Sequence, residues 1–154
     1  MIAAVKLAPG NSIIQGQVKM NILVVDAVSE VRRKLIKYLQ LEEKFHYVFE
    51  TQTVKEAQRI MGTIRIDVII FDIQLPDKSG LDLMMLRHKL VYKPVTIVCS
   101  NYGWPQYLNA YDNLSVDYFF DKSTELLELK LFIKNLVDKS DDYSSVFSHN
   151  HNFN

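Results

Sequence analysis

Two short aliphatic runs, residues 21–26 (NILVVD) and 67–72 (DVIIFD), each end on an aspartate, and this repeat constrains the fold more than any other feature of the chain. Alternate residues of a strand point to opposite faces, so an unbroken apolar run marks a strand buried on both sides. Such strands need a cover on each face, and the segments between them supply it. After the first run, Ser29 can cap a helix in which Val31, Leu35, Ile36 and Leu39 share one side, leaving Arg32, Arg33 and Lys37 toward solvent. Residues 46–51 (HYVFET) alternate as a second strand. Thr53 and Glu56 then have capping-box spacing before a helix that turns Ala57, Ile60 and Met61 inward and stops at Gly62.

The pattern continues beyond the second aspartate. Pro76 and Gly80 mark a turn, and Leu81, Leu83, Met84, Leu86 and Leu90 make a third helical face. Residues 95–99 read as a fourth strand, Pro105 opens a helix carrying Tyr107, Leu108 and Tyr111, and residues 116–120 read as a fifth strand. Ser123 or Thr124 can cap a last helix, with Leu126, Leu127, Leu129, Phe132, Ile133 and Leu136 on its apolar side. Five strand-helix units in alternation imply an α/β fold, a three-layer sandwich with a parallel sheet between two helical layers.

Composition agrees with one domain and narrows its setting. With 154 residues, 48% of them hydrophobic, the chain can bury a core, and the formal net charge of +0 gives no global pull toward nucleic acid or anionic lipid. One cysteine, Cys99, makes neither an internal disulfide nor a multi-thiolate zinc site, so a reducing, cytoplasmic setting is expected. No apolar run nears the ~20 residues of a membrane span. Residues 1–19 are expected to be a flexible N-terminal extension without a role in the fold, residues 20–139 the folded domain, and residues 140–154 a loose polar tail. His149 and His151 lie in that tail and are expected to be solvated rather than metal-bound.

In an open parallel sheet, ligands gather beyond the carboxyl ends of the strands. Here those ends offer Asp26, Asp72, Cys99, Ser100, Asp121 and Lys122. Paired carboxylates attract a hard cation such as Mg2+, and an ammonium and a hydroxyl can hold phosphoryl oxygens, so phosphoryl transfer to a carboxylate is feasible. The stretches NILVVDAVSEVRRKL, DVIIFDIQLPDKSGLDL, KPVTIVCS and VDYFFDKSTE, taken together, resemble the receiver domain of two-component response regulators. The resemblance spans about residues 20–139.

That resemblance implies a CheY-like, flavodoxin-like sheet of order 2-1-3-4-5. It implies that Asp72 is the phosphoacceptor, that Asp26, Asp72 and the Gln74 carbonyl are metal ligands, that Lys122 contacts the acyl phosphate, and that Phe119 is the aromatic switch. It also implies a histidine kinase or phosphotransfer protein as donor, an unidentified downstream protein, and a signalling module rather than an enzyme. Homodimerisation through the fourth and fifth predicted helices stays open. No DNA-binding motif follows residue 139, so no direct nucleic-acid contact is expected.

Two positions depart from the family pattern. Ala27 stands where the second acid of the usual pair would touch the metal, so Mg2+ should bind weakly. A unit charge ~4 Å from a divalent ion carries several kcal/mol of gross attraction at an effective dielectric near 20, part of which water replaces. Cys99 stands at the Thr/Ser position, and a thiol donates poorly to phosphoryl oxygens. Either Ser100 supplies the hydroxyl by a one-residue shift, or phosphorylation couples weakly to the following loop. Weak coupling is preferred, because a shift of one turns the side chain to the other face. Tyr102 and Trp104 stand equally well as partner contacts or as a cover for the sheet edge. The rival function is a pseudo-receiver, the same fold acting by protein contact without phosphorylation. A flavin carrier is discounted for want of a phosphate-binding loop after the first strand.

Overall fold

The computed structural model describes residues 4–6, 19–42, 45–101 and 116–147. In chain order the elements are β1 (Ala4–Lys6), β2 (Met20–Val25), α1 (Ser29–Leu39), β3 (Phe45–Thr51), α2 (Val54–Thr63), β4 (Val68–Phe71), α3 (Asp82–Lys89), β5 (Val95–Ser100), β6 (Tyr118–Asp121) and α4 (Leu126–Phe147). The sheet order is β1-β3-β2-β4-β5-β6. Counted from Met20, the five parallel strands have the expected order 2-1-3-4-5.

The continuous apolar runs behave as two-faced strands must. Leu23, Val25, Ile69, Phe71 and Val98 point to one side and pack with Val54, Ala57, Ile60 and Met61 of α2 and Leu83 and Met84 of α3. Ile22, Val24, Val68, Ile70, Ile97 and Cys99 point to the other, against Leu35, Ile36 and Leu39 of α1 and Leu129 and Ile133 of α4. Each of these side chains is buried. At about 1.5–3 kcal/mol for a fully buried aliphatic side chain, the two cores supply the dominant stabilisation.

Several local expectations are corrected. Residues 1–19 do not all stand apart from the fold, because Ala4–Lys6 pairs antiparallel with the outer edge of β3. Residues 140–147, expected in a loose tail, continue α4. Ser29 does not cap α1; Val28 holds that position without a side-chain cap, and Asp26 secures the preceding turn. Thr53 does cap α2, accepting the Glu56 N–H at 3.2 Å, but the Glu56 carboxylate takes the Thr51 hydroxyl instead of closing a capping box. Gly62 lies inside α2, which runs one residue further. The helix expected from Pro105, with Tyr102, Trp104, His149 and His151, lies outside the described residues. No described helix is long and apolar enough to cross a membrane.

Candidate functional site

Strand register brings the acids together. Val25 pairs with Phe71 across β2 and β4, so the next residue of each strand, Asp26 and Asp72, arrives at the same level. The Asp72 N–H donates to the Val25 carbonyl at 3.0 Å and the Asp26 N–H to the Thr51 carbonyl at 3.1 Å, which extends the ladders one step past the strands. On the far side Ser100 pairs with Asp121, which places Lys122 just beyond β6. The Lys122 ammonium then spans both acids, 2.7 Å from Asp26 Oδ2 and 2.5 Å from Asp72 Oδ2. All three side chains are buried.

Burial alone lowers the affinity of Lys122 for its proton and is the largest single influence on it. The hydrogen bonds and charges of Asp26 and Asp72 together outweigh that effect and hold its pKa above the ordinary lysine value. The ammonium therefore stays charged throughout the physiological range. The remaining carboxylate oxygens are also engaged. Asp26 Oδ1 accepts the Val28 N–H at 2.7 Å, and Asp72 Oδ1 accepts the Ser100 hydroxyl at 2.7 Å and the Gln74 N–H at 3.2 Å.

The loop after Asp72 is closed on itself. Gly80 donates its N–H to the Ile73 carbonyl at 2.8 Å, and Gln74 and Ser79 form a β-bridge. A side chain at Gly80 has no room, because its Cβ would fall 1.9 Å from the Asp72 carbonyl oxygen. The loop tip is tied elsewhere. Asp77 accepts the N–H groups of Val54 and Lys55 at 3.0 Å each, capping the first turn of α2 from outside the helix. Burial, the largest single influence, raises the Asp77 pKa, but hydrogen bonds from Lys55, Val54 and the loop's own amides outweigh it and leave the carboxyl below its usual value.

The hydroxyl of Ser100, and not the thiol of Cys99, enters the pocket. Cys99 belongs to the core on the α1 and α4 side, where burial pushes its thiol pKa up to about 12. Ser100 has the opposite parity, and its hydroxyl is the group that reaches Asp72. The shift that was disfavoured for turning the side chain over does turn it over, toward the Asp72 carboxylate. Phe119 and Phe120 alternate as expected: Phe119 packs beside the α2 and α3 core, Phe120 beside the α1 and α4 core, both half-buried.

Arg32 corrects a second expectation. Rather than facing solvent it is buried, donating to the Asp26 carbonyl at 2.6 Å and to Glu50 Oε2 at 2.8 Å. The signal was present in the spacing, since positions 32, 35, 36 and 39 form one inward stripe. Asp77 had no such signal, because its partners lie more than twenty residues away.

Among the described residues no cluster of three or more His, Cys, Asp or Glu side chains is arranged to hold a metal ion. Two carboxylates and a main-chain carbonyl are nonetheless hard oxygen donors of the kind Mg2+ takes, with water and a phosphoryl oxygen completing its shell. The donor set fits a partly hydrated Mg2+. Ala27 adds nothing to it.

Comparison with known proteins agrees with the fold. Residues 22–134 match the family model described as the response regulator receiver domain. The Sensory transduction protein LytR of Streptococcus mutans is 27% identical over 123 residues, covering 79% of this chain and 46% of that protein. A receiver domain protein (CheY-like) from Methanospirillum hungatei superposes with a TM-score of 0.70 at 23% identity, over 81% of this chain and 98% of that one. Response regulator TrrA from Thermotoga maritima, solved in complex with Mg(2+)-BeF, gives a TM-score of 0.64 at 27% identity, over 76% of this chain and 98% of that one. The chain spans less than half the length of the curated relatives it first matches. Given two acids and an amine at the carboxyl edge of a 2-1-3-4-5 sheet, and a family match over residues 22–134, the chain belongs to the response regulator receiver domain family of two-component systems.

Proposed function

We propose that this chain is a signalling switch that accepts a phosphoryl group on Asp72 from a phosphohistidine of a histidine kinase or phosphotransfer protein, and passes the change to a protein partner in the cytoplasm. The observation that carries this reading is the setting of Asp72, whose carboxylate lies between the Ser100 hydroxyl and the Lys122 ammonium, with Asp26 on the same ammonium. Transfer forms an O–P bond at Asp72 and breaks the donor's P–N bond, and the leaving imidazole keeps the electron pair and takes a proton from solvent. Lys122, already on Asp72, follows the new phosphoryl oxygens, and Ser100 donates to another. Asp26, Asp72 and the Gln74 carbonyl would hold Mg2+, whose charge neutralises phosphoryl oxygens when it is bound; with Ala27 in place of a further acid, that binding is weak. The phosphoryl group adds up to about two negative charges and shifts a two-state equilibrium that Phe119, beside the α2 and α3 core, reports on β6.

A second reading has its own observation. Lys122 already bridges both acids and Ala27 supplies no third, which suits a pseudo-receiver that signals by contact alone. Incubation with Mg2+ and acetyl phosphate or beryllofluoride separates the two. The phosphoacceptor reading expects a mass increase or a change around Phe119 that Asp72→Asn abolishes. No response at saturating metal would select the pseudo-receiver.

A further inference from the structure

We infer that Arg32, oriented by Glu50, is a positioning residue for Asp26 and through it for the Lys122 bridge. The inference deepens the phosphoacceptor reading, since the pocket it serves is the same one. Every polar group of Asp26 is held: its N–H by the Thr51 carbonyl, its carboxylate by Val28 and Lys122, and its carbonyl by the Arg32 guanidinium at 2.6 Å. Glu50 grips the same guanidinium from β3 at 2.8 Å, one residue before Thr51. The end of β3 therefore clamps Asp26 on both sides of its α-carbon, directly at Thr51 and through Arg32 at Glu50.

The clamp matters because the next residue is Ala27. Its side chain carries no group that could anchor this turn to a metal or to another side chain, so the orientation of the Asp26–Ala27 peptide rests on the Arg32 contact. A lysine at position 32 would place one compact ammonium where the guanidinium fork serves a carbonyl and a carboxylate in different directions. Without the fork the buried Asp26 carbonyl loses a charge-assisted donor, and the peptide is free to turn. The Val28 N–H then loses its fixed acceptor, and the Asp26 carboxylate leaves Lys122.

Amide hydrogen exchange and beryllofluoride titration of the full chain test this, using Arg32→Lys, Glu50→Gln and the double variant R32M/E50Q, which leaves no unpaired carboxylate behind. In R32M/E50Q the Val28 amide should exchange about tenfold faster or more, while the core amides of Leu23 and Ile70 keep their wild-type rates. The beryllofluoride concentration for half-saturation in Mg2+ should rise by a similar factor. Arg32→Lys should fall short of rescue on both counts, and Glu50→Gln, which keeps an acceptor for Arg32, should stay within about threefold of wild type. The inference is overturned if Val28 exchange is unchanged, if it accelerates only in step with Leu23 and Ile70, if R32K matches wild type, or if beryllofluoride affinity ignores the double variant. Should the wild-type chain take up no beryllofluoride, the phosphoacceptor reading fails, while the Val28 exchange still decides whether Arg32 positions Asp26.

Discussion

Replacing Lys122 by methionine should cost about 3–5 kcal/mol of folding stability at neutral pH, because it strips a shared counter-ion from two buried acids. The ammonium lies 2.7 Å from one carboxylate oxygen and 2.5 Å from the other, and all three side chains are buried. An exposed ion pair contributes under about 1 kcal/mol, so position decides the size of the effect. Two oxygens gripping one nitrogen lie about 4–5 Å apart, and at an effective dielectric near 20 two unit charges at that separation repel by about 4 kcal/mol. The two routes agree. Urea unfolding at neutral pH measures the loss, and adding Asp26→Asn to K122M should recover about half of it by removing one of the facing charges. The same bridge predicts an alkaline limb. The folded Lys122 pKa is raised, so its stabilisation is complete below the unfolded value near 10.4 and is lost as pH rises through the folded one. Above neutral pH, the difference in stability between wild type and K122M should therefore hold until that alkaline window and shrink through it. A cost for K122M under about 1 kcal/mol, or a further loss on adding D26N, would refute the bridge.

Four smaller perturbations test other contacts. Gly80→Ala should destabilise by about 2–4 kcal/mol in urea unfolding, since the new methyl meets the Asp72 carbonyl oxygen at 1.9 Å. Asp77→Ala should cost about 1 kcal/mol and speed exchange at the Val54 and Lys55 amides; in wild type the same protection should persist above the unfolded carboxyl value and fade as pH falls through the depressed folded one. Ser100→Ala should reduce beryllofluoride affinity severalfold while Cys99→Ala leaves it near wild type, read by the same titration. Ala27→Asp should raise Mg2+ affinity by about tenfold in calorimetry, and an unchanged value would mean that the turn after Asp26 does not face the ion.

The five parallel strands were legible because an unbroken apolar run such as residues 22–25 has no other stable placement than between two helical layers. The sheet order was not contained in periodicity and entered through the resemblance. β1 was illegible for a different reason: three residues carry no pattern, and what makes Ala4–Lys6 a strand is the open edge of β3. The continuation of α4 through residues 140–147 escaped because that segment is polar. Adding residues to a helix already nucleated over an apolar stripe costs little, so a helix can outrun the surface that stabilises it.

At the site, charge type misled where spacing would not have. Arg32 occupies a core position of α1, yet a guanidinium is ordinarily assigned to solvent, and only Glu50 and the Asp26 carbonyl make its burial tolerable. Ser100 was discounted on parity, although parity is what carries it to Asp72. Both residues reach the pocket through partners on other strands, Glu50 on β3 and Asp72 beyond β4, which no local window contains. The same geometry bears on Ala27. With Asp26 and Asp72 facing Lys122, the three side chains already carry a net charge of about −1. A third acid at position 27 would raise the repulsion that the pocket has to bear, so with Ala27 there one internal cation can hold the pocket in order.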